Sequence, residues 1–306
     1  MIFAPGYQRY LTGTIMNKTL PPWLKQTLPK PSAVLEMTDL MAGLRLNTVC
    51  QSASCPNLCQ CFSRRTATFM ILGGTCTRGC RFCAVNKGQP VPVDTEEPLH
   101  ITAAVKKLGL EYAVITSVTR DDLPDGGAGH FSDTINAIHC EQPGVKVEIL
   151  IPDFQGSAES LRIVLQSSPE VLGHNLETVP RLYPSVRPKA GYVRSLELLK
   201  MVKDIQPGTV TKSGIMLGLG EDTEEVINSM RDLKETGCDI LTVGQYLSPS
   251  DKHHSVERYV PPEEFEYYSH AAEEMGFKGV VSGPWVRSSY HAAEVYHKVI
   301  GTLKVS

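Results

Sequence analysis

The sequence predicts an α/β fold built on a mostly parallel sheet, and three observations predict it. From Ala67 onward, apolar runs rich in β-branched residues alternate with amphipathic stretches of helical period. The alternation repeats six times at roughly 30-residue spacing, which implies right-handed crossovers between parallel strands. Polar residues gather where those strands end, and ligands of such sheets sit beyond the C-terminal strand ends. A doubly wound sheet and an incomplete (βα) barrel both satisfy this pattern.

Residues 1 to about 49 carry Pro21, Pro22, Pro29 and Pro31 and one helical stretch, Ala33 to Leu44, so they read as a wrapping segment, with Met16 a candidate second start. The predicted strands are Thr68–Gly73, Tyr112–Val118, Lys146–Ile151, Val171–Asn175, Thr211–Leu217 and Ile240–Tyr246. The predicted helices are Pro98–Leu108, Phe131–His139, Ala158–Gln166, Tyr192–Asp204, Glu224–Glu235 and Pro262–Met275. Asp222 followed three residues on by Glu225 forms a capping box, so Gly218-Leu219-Gly220 before it reads as a tight turn. The tail carries Gly283 to Tyr290 and a short terminal helix from His291 to Ile300. Three regions result: residues 1–66 as an N-terminal extension, 67–250 as the βα region and 251–306 as the tail, together one compact domain.

With 306 residues, 42% hydrophobic and 21% charged, the chain is long enough to bury a sizeable core. A net charge of -3 lacks the basic footprint of nucleic-acid binders. No apolar run approaches the roughly 20 residues that span a bilayer, and MIFAPGYQRYLTG lacks the basic and apolar regions of a secretion leader. A cytoplasmic protein is expected. In that reducing compartment, nine cysteines read as metal or redox groups rather than as disulfides.

Seven of the nine lie between Cys50 and Cys83. Six form two triplets, Cys50-x4-Cys55-x5-Cys61 and Cys76-x3-Cys80-x2-Cys83, on either side of the first predicted strand. The second follows that strand directly and lies in the first βα loop. Three thiolates there leave one iron of a 4Fe–4S cluster open to an exogenous ligand. Zinc is the alternative, although structural zinc sites use paired Cys-x2-4-Cys units that neither triplet supplies. Inside the third strand Glu148 stands alone among Val147 and Ile149 to Ile151; a buried carboxylate must be paired or bound.

The Cys76 to Cys83 loop, with Phe82 before its last cysteine and a βα region after it, resembles the radical S-adenosylmethionine (SAM) superfamily. That resemblance selects an incomplete (βα)6 TIM-type barrel with an N-terminal cysteine-bearing extension and a C-terminal closing tail. It implies that the open iron chelates SAM, whose reductive cleavage yields a radical able to abstract hydrogen from unactivated carbon.

Leu46 to Cys61, Pro22-Trp23-Leu24-Lys25, Thr116 to Gly129 and Arg287-Ser288-Ser289-Tyr290 further resemble lipoyl synthases, nearly throughout the chain from Lys18. The resemblance implies two 4Fe–4S clusters, one SAM-binding and held by Cys76, Cys80 and Cys83, the other auxiliary and held by Cys50, Cys55, Cys61 and Ser289, with Ser288 the second choice. It implies SAM contacts at Ser117, Glu148, Asn175 and Arg187, and a role for Arg287 in holding the serine segment or the substrate amide. The reaction implied is sulfur insertion at C6 and C8 of an octanoyl-lysine, using sulfur from the auxiliary cluster. The implied partners are an octanoylated lipoyl carrier (a 2-oxoacid dehydrogenase E2 subunit or a glycine cleavage H protein) and a reductant such as flavodoxin or ferredoxin. A methylthiotransferase-like enzyme and a zinc-binding interaction module are the competing expectations.

Cys59 and Gln60 depart from the small and acidic residues usual before the third auxiliary cysteine. Cys59 then reads as a tolerated small residue, Cys140 and Cys238 as packed structural residues, and Gly126-Gly127-Ala128-Gly129 as a plain loop or an anion cradle. His253-His254 shows no metal spacing.

Overall fold

The computed structural model describes residues 20–25 and 31–303; Met16 and the segment before it lie outside the described residues. Among the described residues ten strands form: β1 (Asn47–Thr48), β2 (Thr68–Ile71), β3 (Thr75–Cys76), β4 (Asn86–Lys87), β5 (Tyr112–Ser117), β6 (Lys146–Leu150), β7 (Val171–Gly173), β8 (Val210–Leu217), β9 (Ile240–Gln245) and β10 (Gly279–Gly283). Eight of them make one sheet in the order β1-β2-β5-β6-β7-β8-β9-β10. All neighbours are parallel except β1, which runs antiparallel to β2. The sheet curls and stays open, with β1 and β10 as its edges, which is the incomplete barrel expected.

The period-2 alternation of the strands builds two environments. Phe69, Ile71, Ala113, Ile115, Val147, Ile149, Leu241 and Val243 are fully buried beneath the helices. The residues between them face the lumen: Thr68 and Met70 in β2, Val114 and Thr116 in β5, Glu148 and Leu150 in β6, Gly214 and Met216 in β8. Register sets them in layers, Thr68 beside Val114 and Val114 beside Glu148, then Met70 beside Thr116 and Thr116 beside Leu150.

Six helices match the expected set to within a few residues, and the capping box of Thr223–Glu235 forms, with Asp222 Oδ1 accepting from the Glu225 amide at 2.8 Å. The helix expected from Phe131 starts at Ala128. Asp125 accepts from the Gly127 and Gly129 amides at 2.8 and 2.7 Å, so the chain's own carboxylate occupies the cradle of the glycine-rich turn.

The sheet has one parallel strand more than the six expected. β10 falls within the expected tail and has a glycine at each end, and glycine weakens every strand signal. Packing demands the first: a Cβ on Gly279 would lie 2.8 Å from Val299 of the terminal helix, Ala292–Leu303. The extension packs into the main core, with Val34, Met37, Met41 and Leu46 buried together with β2. No helix among the described residues is long and apolar enough to cross a membrane.

Candidate active site

The lumen encloses a cavity of about 1270 Å3. Its wall includes five of the six triplet cysteines, Ser117, Glu148, Asn175 and Arg187, and the tail residues Arg287, Ser288 and Ser289. Cys61 stands outside the wall, in the helix Leu58–Ser63 that follows Cys55.

The second triplet leaves the C-terminal end of β2. The short parallel pair β3–β4 brackets it, joining Thr75 to Asn86 and Cys76 to Lys87 across the base of the loop. Burial pushes the Cys83 thiol up to about 12, with repulsion from Cys80 and Cys76 adding to it. Burial also raises Cys80, while the Arg187 guanidinium nearby pulls it back.

Arg78, between the cysteines, clamps the loop to the rest of the barrel. It donates to Asp121 through Nε (2.7 Å) and Nη2 (2.8 Å), and through Nη2 to Asp153 at 2.6 Å. Arg194 takes the other Asp153 oxygen at 2.7 Å. Burial alone would raise the Asp153 carboxyl, yet the Arg78 hydrogen bond and charge hold it well below the ordinary carboxylate range. The Arg81 amide donates to Val186 O, and its carbonyl accepts from the His254 amide, both at 2.8 Å.

At the C-terminal strand ends the polar candidates converge. Ser117 Oγ and Asn175 Oδ1 are buried without a hydrogen-bond partner. Asn175 Nδ2 donates to Ser288 Oγ at 2.6 Å and to Glu177 Oε1 at 3.1 Å. Arg187, expected as a SAM contact, is buried, donates to the carbonyls of Asn175 and Leu176 at 2.9 Å and lies over the Tyr183 ring. Glu177, one of the polar residues expected at the end of the fourth predicted strand, belongs to this group. It lines the cavity with φ at +67°, and burial raises its carboxyl against the pull of Arg187, Asn175 and Arg287.

Glu148 sits deeper in the lumen. Its Oε1 accepts from Lys212 Nζ and its Oε2 from the Tyr112 hydroxyl, both at 2.7 Å. Of the two roles open from sequence, the structure provides the partners for the ion pair, and these three inward-facing residues form the lumen floor.

The first triplet lies at the other end of β2. Thr48 pairs with Phe69, so Cys50 falls beside the start of β2, where Thr48 caps a short helix by accepting from the Gln51 amide at 3.2 Å. Burial raises all three thiols, Cys61 to about 11, and the charges of Cys50, Cys55 and Cys61 repel one another; Arg287 lowers Cys55.

The tail after β10 reaches this group. Asn57 Nδ2 donates to Trp285 O at 2.7 Å and Trp285 Nε1 to Trp23 O at 3.0 Å, which ties tail, triplet and N-terminal segment together. Gly244 leaves room for the tail, since a Cβ there would lie 2.2 Å from Val286 O. The two serines then part: Ser288 meets Asn175, and Ser289 Oγ accepts from Thr68 Oγ1 at 2.7 Å. Cys59 is buried in the core and Cys238 is buried, whereas Cys140, expected to be packed, is exposed near the end of Ala128–Glu141. Its position faces solvent because the helix buries Phe131, Ile135 and Ile138 instead.

The donor chemistry fits iron–sulfur clusters. Each triplet offers three soft thiols from one short segment, and in a 4Fe–4S cluster each thiolate takes a different iron. A single-ion cage of three or more His, Cys, Asp or Glu is not formed among the described residues. The orphaned Ser117 Oγ and Asn175 Oδ1 fit a polar cosubstrate beside the second triplet.

The model of the radical SAM superfamily matches residues 70–233. A lipoyl synthase of Caldanaerobacter subterraneus subsp. tengcongensis is 57% identical over 277 residues, covering 90% of this chain and 97% of the relative. This chain belongs to the lipoyl synthase family. The lipoyl synthase of Rubrobacter xylanophilus is 55% identical, covering 90% of this chain and 85% of its own length. In fold alone, the chain resembles the FeFe-hydrogenase maturase HydG of Carboxydothermus hydrogenoformans, with a TM-score of 0.57 at 16% identity, covering 75% of this chain and 56% of the other. The protein is a radical SAM sulfurtransferase whose cofactors are 4Fe–4S chemistry and SAM. The expectations of a methylthiotransferase and of a zinc module give way to that family.

Proposed function

We propose that this enzyme inserts sulfur at C6 and C8 of an octanoyl chain carried on a lysine of a lipoyl carrier, with the carrier lysine entering the lumen between two clusters. The observation that carries this reading is that five of the six triplet cysteines line one lumen, two at one end of β2 and three at the other. That strand is four residues long, so at ~3.3 Å per residue the triplets stand on the order of 10–15 Å apart along the wall.

Cys76, Cys80 and Cys83 hold the SAM-binding cluster, and Ser117, Asn175 and Arg187 contact SAM. Glu148 contributes through the floor it builds with Lys212 and Tyr112. Cys50, Cys55, Cys61 and Ser289 hold the auxiliary cluster; an oxygen ligand among thiolates is the weakest link of that set. Arg287 steadies the serine segment and the substrate amide. Bound in these places, SAM and its cluster supply the radical that removes hydrogen, and the auxiliary cluster supplies sulfur. The protein's part is to hold the acyl chain between them and to keep water from the radical, for which an apolar lumen of Met70, Val114, Leu150 and Met216 is suited.

On this reading the extension (1–66) supplies the auxiliary thiols, the barrel (67–250) the radical chemistry, and the tail (251–306) the oxygen ligand, in a cytoplasmic enzyme. The carrier is an E2 subunit or a glycine cleavage H protein, and the reductant is of the flavodoxin or ferredoxin class. The test is anaerobic incubation with reductant, SAM and an octanoyl-lysine peptide. Expected products are 5'-deoxyadenosine and a peptide carrying two added sulfurs; SAM cleavage with no sulfur gained by the peptide contradicts the assignment.

A further inference from the structure

Thr68 opens β2 at the point where the extension, the barrel and the tail meet. Its side-chain Oγ1 donates to Ser289 Oγ at 2.7 Å. Thr48 pairs with Phe69, so Cys50 falls beside this same end of β2. One buried residue, 7% exposed, therefore holds the candidate oxygen ligand at the strand end beside Cys50, 239 positions from that serine in sequence.

The rest of the tail is held by groups that do not fix the Ser289 oxygen itself. Asn57 and Trp23 grip Trp285, and Asn175 grips Ser288. Those contacts bring the segment close, and rotation of Ser289 about χ1 would still carry its oxygen between staggered positions a few ångströms apart. A serine oxygen that has become a metal ligand has no proton to give, so in the hydrogen bond to Thr68 the threonine must donate. Thr68 is β-branched and set in a strand, hence stiff at χ1, and its own main chain is fixed by the ladder to β5 through Val114.

We propose that Thr68 is the positioning residue that sets the Ser289 oxygen against the Cys50 end of the auxiliary cluster. The proposal rests on the reading of Ser289 as the fourth ligand and deepens it. Thr68 touches the ligand, and it acts through the ligand on the oxygen-bound iron.

The test uses the cluster-loaded enzyme, held anaerobic, with Thr68→Val, Thr68→Ser and Ser289→Ala variants. Valine keeps the shape and the strand propensity, so only the hydroxyl is removed. Mössbauer spectroscopy of the auxiliary cluster and the rate of iron release to a chelator are the readouts, with the SAM-binding cluster as internal control. In Thr68→Val the signal of the oxygen-bound iron changes and its release accelerates roughly three- to tenfold, the weight of one ordinary hydrogen bond. Thr68→Ser, which keeps the hydroxyl, restores both to within about twofold of the parent. A Thr68→Val cluster that matches the parent, or releases iron more slowly, overturns the proposal, as does failure of serine to restore it. If Ser289→Ala alters the auxiliary spectrum and Thr68→Val does not, only the positioning role falls. If Ser289→Ala leaves that spectrum unchanged, the ligand assignment falls instead.

Discussion

Replacing Lys212 by methionine tests whether Glu148 is a structural anion or a ligand contact. Glu148 is 3% exposed, with one oxygen on Lys212 Nζ and the other on the Tyr112 hydroxyl, each at 2.7 Å. Methionine fills most of the lysine's volume, so the cavity effect is small and the change leaves a buried carboxylate with a single neutral donor. Removing one partner of a buried pair costs about 3–5 kcal/mol. At roughly 2 °C per kcal/mol for a chain of this size, the thermal midpoint of the cluster-loaded protein should fall by about 6–10 °C.

The double variant Glu148→Gln with Lys212→Met removes both charges and should regain more than half of that loss, because a neutral amide still meets Tyr112. SAM affinity of Glu148→Gln should stay within about twofold of the parent. A midpoint shift under ~2 °C in Lys212→Met would refute the buried pair. A tenfold loss of SAM affinity with unchanged stability, equivalent to ~1.4 kcal/mol, would return Glu148 to ligand contact.

The remaining predictions concern the clusters and acid stability. Anaerobically purified protein should carry about eight irons and eight sulfides per chain, and zinc without iron would contradict both cluster assignments. Ser289→Ala should alter the auxiliary spectrum and leave the SAM-binding one, whereas Ser288→Ala should leave both clusters and weaken SAM binding by freeing Asn175; the reverse pattern would exchange the two serines. His174 is buried between Ile151 O and Ser195 Oγ, at 2.9 Å each, and burial lowers it to about 4 from 6.5. The unfolded chain therefore binds a proton that the fold refuses, so the contribution is intact above about 6.5 and lost on acidification toward about 4, up to ~3 kcal/mol. Urea midpoints measured from pH 7 to 4.5 should fall more steeply in the parent than in His174→Gln, and parallel profiles would refute this.

Much of the fold is legible because its strands are short apolar runs between turn formers, the signal that periodicity captures best. β10 is illegible for a physical reason: the glycines that admit the terminal helix and the neighbouring tail erase the strand signal. The cysteines are legible because soft ligands in threes at close spacing have few other uses in a reducing compartment. Their supports are silent. Arg78 finds its acids 43 and 75 residues away, and Thr68 reads as one more β-branched residue in a strand. The choice between Ser288 and Ser289 is likewise a tertiary matter, since adjacent serines differ only in which element each meets.

The two triplets are held by different kinds of interaction. The loop of the second triplet is fastened by a chain of charges, Asp121 to Arg78 to Asp153 to Arg194, every link at 2.6–2.8 Å. Charge-assisted hydrogen bonds contribute about 1.5–3 kcal/mol each. At the first triplet and its tail the hydrogen bonds include neutral ones, Asn57 to Trp285, Trp285 to Trp23, Thr68 to Ser289 and Asn175 to Ser288, with the Arg287 charge beside Cys55. Neutral bonds contribute roughly 0.5–1.5 kcal/mol each. A cluster that must survive each turnover needs the stiffer seat. A cluster that surrenders sulfur needs a seat whose oxygen ligand can let go while Trp285 and Ser288 keep the tail docked. On the proposed assignment of the two triplets, the salt-bridged seat of the second suits the cluster that persists, and the neutral docking of the tail suits the one that gives up sulfur.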